Sequence, residues 1–302
     1  MISVIMSAYR EDLSVFVPAV TSILDQTYPS FELVLVLDDP ENTELASWID
    51  KNLLPDNRVR VLRNEKNLGL AQSLNRAIEN ASGDYLCRMD ADDLAKPDRL
   101  EKQLAYLLEH DLDLIGSRVN VVDAEGTFLY TTPQPPCTPE KVAKALKWNN
   151  CLAHPTWFGK RKVFDQRYRE IPLCEDYDFQ IRAVLHGFKL GNSEDVVLDY
   201  RLSEQGLSRS GLYRQYLYQR YLTKEYLGGD IANIDRAIEF VEAGYSDAKA
   251  RRYYKADDDF QQAVKSLSRK KFGSAVLYGV KSIVCSFHHA DKVRRLVLTS
   301  LL

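Results

Sequence analysis

Asp90-Ala91-Asp92-Asp93 places three carboxylates within four residues, directly after Asp84-Tyr85-Leu86-Cys87-Arg88-Met89, which reads as a short strand. Like charges at that spacing repel, and a fold keeps them together where a cation or cationic group compensates. Oxygen-only ligands at the end of a strand suit a hard divalent ion, Mg²⁺ or Mn²⁺, with open positions that substrate phosphates fill. An isolated acidic triplet otherwise reads as a solvated turn, so its surroundings decide. Two further acidic pairs carry potential chemistry: Asp38-Asp39 after an apolar run, and Glu175-Asp176 at the start of a helix.

The elements that position these groups alternate. Ile2 to Ser7 is apolar and rich in β-branched residues, and an amphipathic helix follows from about Leu13 to Leu24. Leu33 to Leu37 is a second buried strand, then a helix from about Thr43 to Leu53, a strand at Val59 to Leu62 and a helix from Leu70 to Asn80. Repeated strand–helix units with continuous apolar strands predict an α/β fold with a mostly parallel, two-sided sheet. Ligands of such sheets bind beyond the carboxyl ends of the strands. Tyr9, Asp38 and Asp90 all fall at that edge and are read as one site.

The middle of the chain is less regular. Leu112 to Val121 reads as a strand, Asp123 to Gly126 as a turn into Thr127 to Thr132, and four prolines from Pro133 to Pro139 mark a loop. A helix is expected from about Pro139 to Trp148, another from Glu175 to about His186, and two strands near Phe188 to Leu190 and Val196 to Arg201. Beyond about Gln205 the pattern is helical. The expected division is therefore residues 1–205 as the α/β domain and residues 206–302 as a helical, basic region.

Composition narrows the class. A hydrophobic fraction of 45% over 302 residues supports a proper core. Net charge of −3 argues against a dedicated nucleic-acid binder. The opening residues lack the basic and apolar regions of a signal peptide, and the apolar stretch Ala275 to Phe287 contains Lys281 and is too short to span a bilayer. Five scattered cysteines without metal-ligand spacing fit free thiols in a reduced, cytoplasmic compartment. From Arg201 onward 18 Lys and Arg stand against 11 Asp and Glu, so the last third is basic while the rest is acidic. Basic clusters beside apolar stretches suit an anionic membrane surface at the cytosolic face of an inner membrane. A helical cap packed on the domain reads equally well, and the two are compatible.

With these residues in hand, the first ~205 positions resemble family 2 glycosyltransferases of the GT-A fold. The resemblance rests on ordered motifs: Ser3 to Tyr9, Ser22 to Tyr28, Phe31-Glu32-Leu33, Asp38-Asp39, Asn67-Leu68-Gly69-Leu70, Asp90 to Asp93, Pro97-Asp98-Arg99-Leu100 and Glu175-Asp176. It implies a nucleotide-diphosphate-sugar donor bound at the carboxyl edge of the first strands. Ser7, Ala8 and Tyr9 would wall the nucleotide pocket, with Glu11 in the same loop. Asp38 would accept a hydrogen bond from uracil, and Asn67 and Gly69 would lie beside the ribose and base. Asp90 would face the ribose or the metal's hydration shell. Asp92 would ligate the Mn²⁺ or Mg²⁺ that bridges the phosphates, with Asp93 supporting it. Asp176 would be the base that deprotonates the acceptor hydroxyl, giving inversion, and Glu175 would position the acceptor or Asp176.

His154 lies in a segment that flanks the acceptor side in relatives, and a satisfied structural histidine explains it equally well. Trp148 and Trp157 could stack on a sugar face, with core packing the safer reading. Ser203 stands near where many relatives carry a histidine that can touch metal or diphosphate, which puts a protein-derived third ligand in doubt. Met6 replaces a frequent proline without consequence. The expected activity is metal-dependent, inverting transfer from a UDP-sugar to a saccharide or lipid-linked saccharide of a surface polysaccharide. A degenerate sugar-nucleotide-binding scaffold is the non-enzymatic alternative. A sugar-nucleotide pyrophosphorylase would need a glycine-rich basic loop where Ala8 to Asp12 has no glycine.

Overall fold

In the computed structural model, which describes residues 1–202 and 211–302, the strand–helix alternation builds the half of the sheet that carries the acidic residues. β1 (Ile2–Ala8), β2 (Phe31–Leu37), β3 (Val59–Arg63) and β4 (Tyr85–Asp90) pair in parallel in the order β3-β2-β1-β4. β1 and β2 are almost wholly buried, which is why they read as continuous apolar runs rather than alternating ones. α1 (Leu13–Leu24) covers one face through Phe16, Ala19, Val20 and Ile23, the i, i+3, i+4, i+7 spacing of a single helical stripe. α2 (Thr43–Asn52) is capped by Asn42, whose side chain accepts from Leu45 N–H at 3.1 Å. α3 (Leu70–Asn80) covers the other face with Leu74, Ala77 and Ile78.

The second half of the sheet is mixed. β5 (Leu94–Ala95) and α4 (Arg99–Glu109) lead into β6 (Leu114–Val122), with β7 (Phe128–Thr131) paired antiparallel to its last residues. α5 (Pro139–Ala145) precedes β8 (Phe158–Lys160), which inserts antiparallel between β4 and β6. α6 (Arg161–Phe164), α7 (Glu175–Leu185) and β9 (Leu190–Arg201) complete the domain. Among the described residues nine strands form one sheet.

Two expectations differ from the structure. The two strands expected around 188–201 are one, because β9 stays paired with β6 through register shifts at Ser117–Val119 that absorb the polar Ser193-Glu194-Asp195. α5 ends at Ala145, where the chain turns over Leu146 to Trp148 instead of continuing helically.

The C-terminal helices are α8 (Leu212–Gly228), α9 (Ile234–Gly244), α10 (Asp247–Ser268), α11 (Phe272–Cys285) and α12 (Phe287–Ser300). Tyr213, Tyr216 and Tyr221 of α8 join one apolar cluster with Trp157, Tyr177 and Phe179, so this helix shares the core of the α/β domain. Arg295 of α12 donates to the Trp148 carbonyl at 3.0 Å. No helix among the described residues is long and apolar enough to cross a membrane. Ser203 and the expected boundary at residues 205–206 lie outside the described residues.

Candidate active site

Strand register fixes the carboxyl edge. Ala8 pairs with Leu37 and Ser7 with Asp90, so Asp38 and Asp90 flank the end of β1 on either side. At ~4.8 Å between neighbouring strands they stand roughly 10 Å apart. Asp38 N–H donates to the Ala8 carbonyl at 2.7 Å, extending β2 by one residue onto this rim. Ser7 is half-buried. Ala8 is fully buried, so its contribution to the rim is backbone only.

Asp38 is 3% exposed and organises the loop before α3. Its Oδ1 accepts from Asn64 Nδ2 at 2.6 Å and Leu68 N–H at 2.8 Å, and its Oδ2 accepts from Gly69 N–H at 2.9 Å. An ionised carboxylate offers roughly four lone-pair sites. Among the described residues three are used, and the remaining one lies on Oδ2. Gly69 has φ +83°, a conformation that leaves both amides aimed at Asp38 and that favours glycine. Asn67 Oδ1 shares the Gly69 N–H at 2.8 Å, which tightens the same turn.

Asp90 ends β4 and is held by Arg88, whose two terminal nitrogens donate to its two oxygens at 2.8 and 2.5 Å. Residues 88 and 90 share one face of the strand, and Arg88 is only 2% exposed. Asp90, Asp92 and Asp93 each offer an oxygen within 4.8 Å of the others. Asp93 is fully buried; its Oδ1 accepts from Arg201 N–H at 2.9 Å, and its Oδ2 has no partner among the described residues. Burial and the Asp90 charge push the Asp92 carboxyl up to about 6. The same causes, with Asp92 added, push Asp93 well up. Glu11 accepts from Tyr9 N–H at 2.6 Å and is raised to about 7 by burial, with Asp92 and Asp90 adding to the shift.

The second acidic pair faces the same region. Glu175 and Asp176 open α7, where a helix N-terminus favours carboxylates. Burial, and secondarily the Asp176 charge, push Glu175 up to about 7, and Asp90 adds to it. Burial also raises Asp176, opposed by the Tyr177 N–H at 2.7 Å, the Arg88 charge and the Asn150 side-chain amide that donates to its Oδ2. Asn150 is itself fixed, its Oδ1 accepting from Gln180 Nε2 at 2.6 Å and Leu152 N–H at 3.2 Å. His154 sits between Trp157 and Tyr168, with Nε2 2.9 Å from the Tyr168 hydroxyl, and burial holds it well below the usual histidine range. It is neutral and packed. Trp157 is fully buried.

Among the described residues six carboxylates (Glu11, Asp90, Asp92, Asp93, Glu175, Asp176) thus share a region with three guanidiniums, Arg88, Arg99 and Arg201. Such a site needs further positive charge to stay ionised. The cluster fits a hard divalent cation: Asp92 presents a carboxylate oxygen beside those of its two acidic neighbours, and buried Asp93 Oδ2 is unsatisfied behind it. Asp90, already paired with Arg88, fits the hydration shell or a ribose better than direct ligation. Arg88, Asn64 and Asn150 were missed from sequence. Arg88 carried the one available signal, a guanidinium two residues before an aspartate within a buried strand.

Comparison with known proteins agrees with this geometry. The model of glycosyl transferase family 2 matches residues 3–168, more than half of the chain. The uncharacterized glycosyltransferase MJ1057 of Methanocaldococcus jannaschii is 33% identical over 205 residues, covering 67% of this chain and 71% of that protein. The O-antigen biosynthesis glycosyltransferase WbnJ of Escherichia coli is 35% identical over 207 residues, covering 67% and 80%. Among solved structures, S. aureus TarS (residues 1–349) in complex with UDP-GlcNAc superposes with a TM-score of 0.60 at 16% identity, over 94% of this chain and 92% of that one. This chain belongs to glycosyl transferase family 2 and has the GT-A fold.

Proposed function

We propose that the protein transfers a sugar from a UDP-sugar to a hydroxyl of a saccharide or lipid-linked saccharide, with inversion at the anomeric carbon. The observation that carries this is the gathering of six carboxylates in one region with Arg88, beside the single acceptor site left on Asp38 among the described residues. Uracil presents one N–H donor, and the Oδ2 lone pair of Asp38 is one buried acceptor; a base lacking that donor would leave it unpaired. The TarS chains of the same fold hold UDP-GlcNAc and UDP, which supports the same donor class here. Relatives named for O-antigen and amylovoran biosynthesis support a polysaccharide product, and a lipid-linked acceptor would put transfer at a membrane face.

Asp92 would hold the cation, Asp93 would fix Asp92 from behind, and Asp90 would meet the ribose or the cation's water. A bound Mn²⁺ or Mg²⁺ would supply the positive charge that stabilises the departing diphosphate. Ser7, Tyr9 and the 67–69 turn would flank the nucleotide. Asp176 takes the acceptor proton as the acceptor oxygen attacks the anomeric carbon and the bond to the diphosphate breaks. Its Tyr177 and Asn150 hydrogen bonds favour the ionised form a base requires, against the burial that opposes it. Glu175, whose carboxyl burial raises to about 7, positions the acceptor, and His154 supports that wall through Tyr168.

A panel of labelled UDP-sugars offered with saccharide acceptors, with and without Mn²⁺, tests this reading. Transfer is expected only with the cation, and the product's linkage, read by NMR, is expected to be inverted. Retention of configuration, or transfer undiminished by chelation, would overturn it. Donor binding without either transfer or hydrolysis would point to a sugar-nucleotide-binding scaffold.

A further inference from the structure

We infer that α11 and the turn before it form a docking surface for an anionic lipid bilayer. α11 folds back along α10 and, among the described residues, uses one side for internal contacts: Ser282 Oγ meets His289 Nδ1 at 3.0 Å, and Cys285 Sγ meets the Arg252 carbonyl at 3.5 Å. The other side carries Phe272, Val276, Leu277, Val280, Ile283 and Val284, each between 54% and 80% exposed. At 3.6 residues per turn these six occupy one continuous arc of about 140°. Soluble monomers rarely leave so large an apolar patch to water.

Charge selects the occupant. From Phe260 to Ala290 the chain has five Lys and Arg and no Asp or Glu. Arg269, Lys270 and Lys271 are exposed at the turn that leads into Phe272, and none forms an ion pair among the described residues. Lys281 lies at the margin of the apolar arc, with its Nζ 5.2 Å from the Tyr278 ring centroid, where a long side chain can bury its stem and keep its charge in the headgroup region. A second copy on the same face would set like charges against each other across a two-fold, with no acid between residues 260 and 290 to offset them. An anionic bilayer neutralises the basic turn and buries the apolar arc together. No helix among the described residues can cross a membrane, so the surface lies on the bilayer.

This inference deepens the membrane-side reading of the proposed function. Lipid binding is measured without donor sugar, so either can fail while the other stands. The purified full chain is sedimented with vesicles of phosphatidylcholine alone, or of an equimolar mixture with phosphatidylglycerol. Binding is expected to the mixed vesicles and to weaken with salt. Val276→Glu with Val280→Glu should lower it at least about tenfold, and so should Arg269→Gln with Lys271→Gln. UDP binding should stay unchanged in both, and should the first pair fail to fold, the second carries the test alone. No binding to mixed vesicles, equal binding to both kinds, or undiminished binding by the folded variants would overturn the inference. So would a dimer, seen by light scattering, that Val276→Glu with Val280→Glu dissociates.

Discussion

Asp176→Asn separates base chemistry from architecture. In the wild type, Oδ1 of Asp176 accepts from Tyr177 N–H at 2.7 Å and Oδ2 accepts from the Asn150 amide. An asparagine can keep the first contact, but its Nδ2 then faces the Nδ2 of Asn150, donor against donor. Asn150 cannot turn over without giving up Gln180 and Leu152, both of which donate to its Oδ1. One partly buried donor is left unpaired, which costs about 1–3 kcal/mol of stability. Loss of a positioned base removes roughly 10²- to 10⁴-fold in rate. Adding Asn150→Asp restores a complementary pair, since a carboxylate at position 150 would accept from Gln180, Leu152 and the new amide together. The double variant is therefore expected to regain about 1–3 kcal/mol in urea denaturation while transfer of labelled sugar stays lost. UDP affinity should be unchanged in both variants. Transfer restored in the double variant, or single-variant activity within about tenfold of wild type, would refute the assignment of Asp176 as base.

Three further outcomes follow from the same geometry. Arg88→Met leaves Asp90 without its paired, buried guanidinium, and urea denaturation should show a loss of about 3–5 kcal/mol, part of it recovered by adding Mn²⁺. Burial raises Glu11 and Glu175 to about 7 and Asp92 to about 6. Raised carboxylates stabilise the fold below their ordinary values and lose that contribution as pH climbs through the raised ones, so the metal-free Tm should fall between about pH 5 and 8. Mn²⁺ should raise Tm more at the upper end, as thermal shift would show. Gly69→Ala meets nothing within 4 Å of a new Cβ, so its penalty is torsional: about 1–3 kcal/mol, with weaker UDP binding by calorimetry.

The parallel half of the sheet was legible because buried strands read as apolar runs, and each run ended on a polar residue that the register sets on one rim. The mixed half was less so. β8 is three residues long and gains its pairing from β4 and β6, contacts that no local pattern announces. The polar Ser193-Glu194-Asp195 interrupts the apolar pattern between Leu190 and Val196, yet pairing with β6 carries one strand through it. At the site, aspartates at strand ends could be named from sequence. The network that tunes them could not: Arg88 lies in a strand otherwise apolar, and Asn64 and Asn150 act through partners 26 residues away in the chain. The basic, helical C-terminal region was visible in composition, but its division into packed tyrosines on α8 and an uncovered apolar arc on α11 required tertiary structure.

The central claim is that one cation-bearing crevice at the sheet edge binds the donor between Asp38 and Asp92. Diffraction at the manganese absorption edge from crystals soaked with UDP and Mn²⁺ tests it most directly. An anomalous peak ligated by Asp92, with the uracil N–H on Asp38 Oδ2, is the predicted result. Manganese bound away from residues 90–93, or UDP seated without contact to Asp38, would contradict it.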